Sequence, residues 1–278
     1  LGVAPREPDP DRYEHKFEYC DILIVGSGPA GLASALAAAK NGAKVILAED
    51  KPRFGGSLLT DEVTIGNKKG KEWADETIAL LKSMPKVTIK SRSQVFGYYD
   101  HNMMVMVERT KDHIEKPRKF TPRQRLWYIR AKEVIISTGS IERPLVFGNN
   151  DRPGVMLASA AKEYMKVYGV IIGKKPIIFT NNDSGYDTAI EFKKNGIDPL
   201  VVDVRSNSES SVVQEAKNLN INIKFSHGVV NALGYKKVKA AVIGKLNADK
   251  SGYENIEKII CDCICVSGNW TPTVHLSS

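Results

Sequence analysis

The sequence predicts an α/β protein built around a parallel β-sheet, and three observations support this fold class. Residues Cys20–Gly26 form a short apolar run suited to a buried parallel strand. A glycine-rich turn follows, and the Ala- and Leu-rich stretch Leu32–Lys40 after it favours a helix. Lys44–Glu49 is a second apolar strand, and a similar order of strand, turn, helix and strand recurs over residues 175–203.

The turn between the first strand and the helix has the glycine spacing of a Rossmann-like dinucleotide-binding motif. Gly26 lets the chain leave the strand sharply, Gly28 lets the backbone approach a pyrophosphate, and Gly31 lets helix and strand pack closely. The free N–H groups at the start of the helix, aided by its dipole, are predicted to face the phosphates. We therefore assign the three glycines of the turn, together with Pro29 and Ala30, to a cofactor site.

An acid at the end of the second strand completes the motif. Glu49 lies 18 residues past Gly31, where a carboxylate accepts hydrogen bonds from a ribose diol and would repel the 2′-phosphate of NADP. Asp50 and the pair Gly55-Gly56 are further candidates beside the cofactor, although alternation along the strand turns Asp50 toward solvent. The same turn and the same acid serve NAD and FAD, so these residues leave the two cofactors open.

The segments after the second strand extend the first domain. Apolar residues at helical spacing predict a helix over Lys71–Met84. Residues 94–132 alternate polar and apolar side chains, which predicts an antiparallel meander. The apolar strand Val134–Gly139 is expected to return to the parallel sheet, so that Thr138 and Gly139 lie near the nucleotide.

The second strand-turn-helix unit lacks the glycines of the first. Thr180 and Asn182 stand where the first two glycines belong, and only Gly185 remains. The Cβ of Asn182 would crowd a pyrophosphate, so we expect this repeat to have a structural role. After a strand predicted over Ile256–Val266, Gly268 begins a segment expected to be helical, whose N–H groups would face the middle of the cofactor.

These patterns predict a Rossmann-like FAD/NAD(P)-binding fold with a second Rossmann-like domain inserted into it. The expected parts are a linker over residues 1–20, a first dinucleotide-binding domain over 21–160 and 263–278, and an inserted domain over 161–262. The first twenty residues are rich in Pro and charge, without an apolar signal core. The chain lacks a starting Met, so we expect it to be a piece of a longer protein.

Four cysteines and the absence of long apolar runs indicate a reduced, cytoplasmic protein that does not cross a membrane. Cys261, Cys263 and Cys265 alternate along the predicted strand, so we expect all three to share one buried face. No Cys-x-x-Cys is present, which argues against a dithiol reductase, and the cysteine and histidine spacings support no metal site.

The net charge is +8, and nine Lys or Arg residues stand against three acids between Glu108 and Lys132. No recognised nucleic-acid-binding motif accompanies this charge, so nucleic acid is not expected as a partner. A solvated hairpin or an interface with an acidic partner chain is the preferred interpretation.

Several stretches together resemble the alpha (large) subunit of heterotetrameric sarcosine oxidase. The similarity extends over nearly the whole chain from Asp21 and is carried by residues 21–31, 124–131, 137–147, 149–159, 182–187 and 266–276. The first of these stretches occurs in many enzymes, whereas Glu142–Ser159 is much more specific. The resemblance implies a two-dinucleotide-binding flavoprotein fold and a partner beta subunit that carries flavins.

The resemblance also implies a function. It implies that Gly26, Gly28, Gly31 and Glu49 contact NAD, while the oxidative demethylation of sarcosine takes place in the partner subunit. We assign no catalytic acid, base or nucleophile to this chain. The alternatives are a stand-alone oxidoreductase using FAD and NADH, a structural module with a vestigial nucleotide site, and a subunit of an opine-oxidase-like dehydrogenase.

Overall fold

The computed structural model describes residue 4, residues 6–249 and residues 251–277. They divide into two compact units, unit 1 being the described residues up to Gly139 together with those from Thr273, and unit 2 being Ser140–Pro272. Unit 2 is thus inserted in the sequence of unit 1. Among the described residues, no helix is long and apolar enough to cross a membrane.

Unit 1 has a six-stranded mixed sheet, two helices, and a separate two-stranded hairpin. Its elements, in chain order, are β1 (Tyr13–Val25), α1 (Pro29–Lys40), β2 (Val45–Ala48), β3 (Thr64–Ile65), β4 (Lys68–Lys69), α2 (Gly70–Ser83), β5 (Val87–Lys90), β6 (Ser93–Tyr99), β7 (Met103–Arg109) and β8 (Gln124–Ile136). The sheet order is β5-β2-β1-β8-β7-β6, in which the first four strands are parallel and the last three pair antiparallel. In the separate hairpin, β3 pairs with β4.

Alternation along β1 separates two cores in unit 1. Ile24 packs with Leu32 of α1 and Leu81 of α2 on one face of the sheet. Leu23 and Met104 of β7 pack on the other face. Both helices therefore cover the same face of the parallel half. Because α1 follows β1 after a short turn, its first residues lie at the carboxyl end of β1.

Two predictions for unit 1 need correction. Tyr13–Cys20, predicted as part of a linker, is the first half of β1 and pairs in parallel with Gln124–Ala131. The linker prediction rests on the charge and the prolines of residues 1–20, although aromatic and charged residues alternate over 13–19 as they do in a strand. The pairing partner of this strand lies more than 100 residues away. The end of the meander and the strand predicted over Val134–Gly139 are one strand, β8, because both halves pair with the same neighbour, β1.

Unit 2 repeats the plan of unit 1 with separate sheets. Its elements are β9 (Ser140–Glu142), β10 (Val155–Leu157), α3 (Ala158–Tyr168), β11 (Pro176–Thr180), α4 (Ser184–Lys194), β12 (Leu200–Asp203), α5 (Ser211–Asn218), β13 (Asn222–Phe225), β14 (His227–Gly234), β15 (Val238–Leu246), β16 (Tyr253–Ile260), β17 (Cys263–Ser267) and β18 (Trp270–Pro272). The order β10-β17-β11-β12-β13 forms a parallel sheet, β14-β15-β16 an antiparallel one, and β9 pairs with β18.

The boundaries of unit 2 differ from those predicted. β17 lies between β10 and β11, so residues predicted for the first domain, 140–160 and 263–272, belong to unit 2. The strand predicted over Ile256–Val266 is broken into β16 and β17. The segment after Gly268 forms β18 and a turn, and no helix follows β17 within the described residues.

The break between β16 and β17 also separates the cysteines. Cys263 and Cys265 pack with the α3–α4 side of the parallel sheet, whereas Cys261 packs on its other side with Ile264 and Val266. The prediction that all three share one face is therefore wrong, because it assumed unbroken alternation through Asp262. All four cysteines are free and buried.

Candidate functional site

In the glycine turn after β1, two of the glycines are packed against neighbouring backbone of unit 1. Gly26 has φ +98°, and a Cβ placed on it would lie 2.4 Å from the carbonyl oxygen of Ser137. A Cβ on Gly31 would lie 1.9 Å from the carbonyl oxygen of Gly26. The close packing of strand, turn and helix therefore explains why both positions are glycine.

Gly28 differs from these two because nothing within unit 1 requires it. Its φ is −66°, which any residue adopts, and, apart from its chain neighbours, no atom lies within 4 Å of the position that a Cβ would take. The space next to its backbone is open on that side. On the other side, a Cβ on Gly56 would come 2.8 Å from the Gly28 Cα. A ligand that approaches the open side closely accounts for the glycine, and a pyrophosphate is such a ligand.

The backbone around Gly28 offers hydrogen-bond donors to such a ligand. Helix α1 begins at Pro29 without a side-chain cap, and its first recorded turn bond joins the Leu32 N–H to the Gly28 carbonyl at 2.9 Å. Within the described part of the chain, the N–H groups of Gly28, Ala30 and Gly31 have no recorded acceptor. Free N–H groups at a helix N-terminus, together with the helix dipole, attract an anion.

Glu49 links the end of β2 to the turn. Its side chain is buried, with 7% exposed, and its Oε2 accepts hydrogen bonds from the Ser27 N–H at 2.9 Å and from the Ser27 hydroxyl. Its Oε1 accepts from the Lys51 N–H at 2.9 Å. Burial raises the pKa of Glu49 above its usual value, because the charged form loses solvation, and the neighbouring Asp50 carboxyl raises it further. Asp50 itself is exposed.

The loop after β2 closes over the same turn. Gly55 and Gly56 have φ of +122° and +55°, a region that favours glycine. The Gly55 N–H donates to the Ser27 carbonyl at 3.0 Å, which joins the loop to the turn. Ser27 therefore connects the glycine turn to Glu49 and to the loop at Gly55, through its backbone and its hydroxyl. The sequence-based assignment left it out, although a hydroxyl one residue before Gly28 is a signal for such a role.

The three residues that follow β8, residues 137–139, lie beside the same turn. The Ser137 hydroxyl lies 2.9 Å from the Val25 carbonyl oxygen and 3.0 Å from that of Gly26. Thr138 donates its hydroxyl to the Thr273 carbonyl at 2.8 Å, and the Thr273 N–H donates to Gly139 at 2.9 Å. Thr138 and Gly139 thus lie beside the turn, as the return of this strand to the sheet predicts.

Gly268, the remaining predicted contact, belongs to unit 2. A Cβ on it would lie 2.7 Å from the carbonyl oxygen of Arg143, whose own backbone is bonded to Asn269 and Gly268. Packing within unit 2 accounts for this glycine, so the structure does not bring it into the group formed by the other predicted residues. Its contact with the cofactor stays a prediction.

The corresponding turn of unit 2 is filled by its own side chains. The Asn182 side chain donates to the Ser267 carbonyl at 3.1 Å and accepts from the Ser184 N–H at 2.8 Å. The Thr180 hydroxyl bonds to the Asn182 backbone at 2.8 Å. Asn182 thus stands where unit 1 has Gly28, and its side chain is held there by hydrogen bonds within unit 2.

The acid of the second turn is paired with side chains of its own unit. Asp203 ends β12 and is fully buried. It accepts hydrogen bonds from the Arg205 guanidinium at 2.8 to 3.1 Å and from the Tyr186 hydroxyl at 2.7 Å. Burial, together with the bond to Asp203, raises the pKa of Tyr186 so that its hydroxyl stays a donor. A ribose would have to displace these partners to reach the carboxylate.

The thiols of Cys20 and Cys261 are poorly reactive. Burial raises the pKa of the Cys20 and Cys261 thiols to about 12, so the reactive thiolate is scarce at neutral pH. Among the described residues, no cluster of His, Cys, Asp or Glu is arranged to hold a metal ion.

Comparison with known proteins identifies the family of the chain. The model of the pyridine nucleotide-disulphide oxidoreductase family matches residues 20–268. The chain belongs to this family. The match covers both Rossmann-like units, which confirms the predicted α/β fold and the prediction of an oxidoreductase family. The thioredoxin reductase of T. acidophilum has the same fold, with a TM-score of 0.68 at 20% identity over 93% of this chain and 80% of its own.

Two curated relatives are similar along the whole chain. The sarcosine oxidase subunit alpha of Rhizobium meliloti (strain 1021) is 41% identical over 277 residues, and that of Corynebacterium sp. (strain P-1) is 36% identical over 282 residues. All of this chain is covered in both comparisons, but the chain spans only 27% and 29% of the relatives' lengths. The predicted resemblance to sarcosine oxidase alpha subunits is therefore confirmed.

Proposed function

We propose that unit 1 holds NAD at the turn from Gly26 to Gly31, within an amine oxidoreductase complex of the sarcosine oxidase type. The observation that carries this proposal is the open space beside Gly28. No contact within the protein requires a glycine there, and the N–H groups around this space have no acceptor among the described residues. The pyrophosphate would lie there, held by the N–H groups of Gly28, Ala30 and Gly31. The similarity to two sarcosine oxidase alpha subunits supports the choice of complex.

Glu49 would hold the adenosine ribose. Its carboxylate lies at the end of β2 beside the turn and already accepts from Ser27 and Lys51, which holds it in place. A ribose diol would donate to its remaining lone pairs, whereas a 2′-phosphate would meet a carboxylate and be repelled. This preference supports NAD rather than NADP.

NAD supplies hydride chemistry when it takes part in a reaction, but we assign it a structural role in this chain. We assign no general acid or base of unit 1 to catalysis. The nucleotide would instead satisfy the donors of the turn and stabilise unit 1. Amine oxidation would then take place in a partner subunit that carries flavin, and a cytoplasmic location stays a prediction.

The test identifies the nucleotide that the protein retains. We would purify the protein with the subunits with which it assembles, separate this chain, record its visible spectrum, and identify the released nucleotide by mass spectrometry. A colourless chain that releases NAD is expected. A yellow chain that releases FAD would instead favour the flavin-dependent alternative, and a wild-type chain without nucleotide would contradict both.

A single substitution tests whether Gly28 is the contact. Gly28→Val places side-chain atoms in the open space, so nucleotide retention should fall about 100-fold or more, a loss of about 3 kcal/mol in binding. The free energy of unfolding of the nucleotide-free chain should stay the same within about 0.5 kcal/mol, because no protein atom is near. Gly252→Ala is the matched control, since a Cβ there meets only Asn247 Nδ2 at 3.6 Å. Retention unchanged by Gly28→Val would contradict the proposal.

A further inference from the structure

One face of the sheet in unit 1 carries exposed aromatic side chains. We call it the aromatic face and define it by Tyr13, His15, Phe17 and Tyr19 of β1 with Tyr128 and Arg130 of β8. The four residues of β1 alternate with residues of the opposite face, where Cys20 is buried in the core. Phe17 pairs with Tyr128, and Tyr19 with Arg130, so the side chains of both strands lie on the same side.

These aromatic rings are exposed to an unusual degree. Phe17 is 79% exposed, Tyr13 51% and Tyr19 44%. Phe17 and His15 both stack with the Tyr128 ring, with centroid distances of 5.1 and 5.8 Å. The open face of an antiparallel or mixed sheet normally carries polar side chains, because apolar area in contact with water is unfavourable. A contiguous aromatic surface of this kind is typical of an interaction site.

The composition of the aromatic face indicates a protein partner. Tyr, Phe and Arg are the residue types enriched at the centre of protein interfaces, where Lys, Glu and Asp are depleted. The carboxylate at the end of this face, Asp21, is paired with Lys132 at 2.8 Å. Arg130 donates to the His101 carbonyl at 3.4 Å and meets no carboxylate within the described residues. A partner with a carboxylate opposite Arg130 would complement this charge.

Charge also separates this partner from two other occupants. A second copy of the chain, packed through the same face about a two-fold axis, would offer Arg130 only the residues of this same face. The carboxylate of that face, Asp21, is already paired with Lys132, so the second copy would bring no free carboxylate to Arg130. A nucleic acid needs several cations against its phosphates. The nearby basic residues Arg123 and Arg125 are instead paired with Asp11 and Glu14 at 3.1 and 2.9 Å.

We infer that the aromatic face binds a different protein chain, whose contact surface is apolar at its centre and carries a carboxylate opposite Arg130. Phe17, the most exposed of these rings, would be buried at the centre, with Tyr13 and Tyr19 beside it. The inference rests on the proposed function only in taking the oxidoreductase complex as the source of the partner.

Footprinting of the assembled complex tests this inference. Hydroxyl-radical oxidation of Phe17, Tyr19 and Tyr128 would be compared between the assembled complex and the full chain purified alone. We expect these residues to be oxidised about tenfold more slowly in the complex. Tyr235, which is 90% exposed in unit 2, serves as the internal reference and should be oxidised equally in both. Equal oxidation of Phe17 in both samples would overturn the inference.

Two further outcomes of this experiment would also overturn it. Protection of Phe17 that rises with the concentration of the chain alone would assign the face to a second copy. Protection produced by a single-stranded RNA at physiological salt would assign it to nucleic acid.

Substitutions then measure the contribution of the face to assembly. Phe17→Ser and Arg130→Glu should each weaken association about tenfold or more, the effect expected for truncating a central interface residue. Tyr235→Ser is the matched control and should leave association unchanged. The nucleotide content, measured in the same preparations, should stay at the wild-type value in all three variants. If the wild-type complex contained no nucleotide, that result would count against the proposed NAD site and not against the aromatic face.

Discussion

The two units use the same scaffold at the turn between strand and helix, but they differ in what occupies it. In unit 1 the backbone of Gly28 faces open space and its neighbours keep unbonded N–H groups. In unit 2 the Asn182 side chain spans the same position and bonds to Ser267 and Ser184. The residue at this position is therefore one of the differences that leave the first turn open and fill the second with side-chain hydrogen bonds.

The acids at the ends of the second strands show the same contrast. Glu49 and Asp203 each accept a hydrogen bond at 2.9 Å from the N–H two residues later, on Lys51 and Arg205. Only Asp203 also binds a guanidinium and a tyrosine hydroxyl from its own unit. The comparison shows that the same strand-turn-helix unit can have its acid tied up by side chains of its own unit in one copy and free of such a cation in the other.

The largest expected effect comes from breaking the ion pair of the closed turn. Arg205→Ala would leave the fully buried Asp203 carboxylate without its cation, so the free energy of unfolding should fall by about 3 kcal/mol. This value is at the low end for buried pairs, because Arg205 is partly exposed. Urea unfolding of the variant measures it.

A double substitution separates the lost pair from the lost side chain. Asp203→Asn combined with Arg205→Ala removes the uncompensated charge, and it should be less destabilising than Arg205→Ala alone. If the double variant is the less stable of the two, the ion pair is not what closes this turn.

A smaller effect is expected from opening the second turn itself. Asn182→Gly removes the bonds to Ser267 and Ser184, which should lower the free energy of unfolding by about 1–3 kcal/mol. The variant should still retain no nucleotide in unit 2, because Arg205 and Tyr186 continue to occupy Asp203. Mass spectrometry of released nucleotide should therefore give the same amount per chain as the wild type.

Asn182→Ala provides the control for this variant. It removes the same hydrogen bonds without the additional backbone freedom of glycine, so it should be less destabilising by up to about 1 kcal/mol. An additional nucleotide bound by Asn182→Gly would show that the second acid is more accessible than its hydrogen bonds indicate.

The open turn could be predicted from the sequence because its signals are local. The glycines from Gly26 to Gly31, the helix after them and the acid at Glu49 lie within about 25 residues, and each has a backbone reason for its identity. For the closed turn, the sequence predicts the crowding at Asn182 but not the hydrogen bonds that its side chain makes. The crowding by Asn182 could be deduced from its Cβ, but its bonds to Ser267 join residues 85 positions apart.

The errors in the fold have two origins. The first half of β1 carries a local strand signal, because its aromatic residues alternate with Glu14, Lys16 and Glu18, but the charge and the prolines of residues 1–20 favour a linker over that signal. β17 could be recognised as a strand, but its place between β10 and β11 depends on partners distant in sequence. Pairing over long distances in sequence is the part that period and propensity do not encode.

The smallest effect concerns the charge of Glu49 in the open turn. Burial raises the pKa of Glu49 in the folded chain above the unfolded value near 4.5. The folded state therefore keeps a proton that the unfolded state has already lost. Glu49 contributes this stability at low pH, and the contribution disappears as the pH rises through the folded pKa.

Glu49→Gln should remove this dependence from the nucleotide-free chain. The free energy of unfolding, measured from about pH 4 to about pH 8, should become more favourable to the variant relative to the wild type as the pH rises, because glutamine never acquires the buried charge. Glu49→Ala, which also removes the bonds to Ser27 and Lys51, should instead be less stable than Glu49→Gln at every pH. The same Glu49→Gln change should weaken nucleotide retention about tenfold, since a neutral amide accepts more weakly from a ribose diol than a carboxylate does. A wild-type pH dependence that persists in Glu49→Gln would mean that another group titrates, and that the open turn tolerates its buried acid without cost.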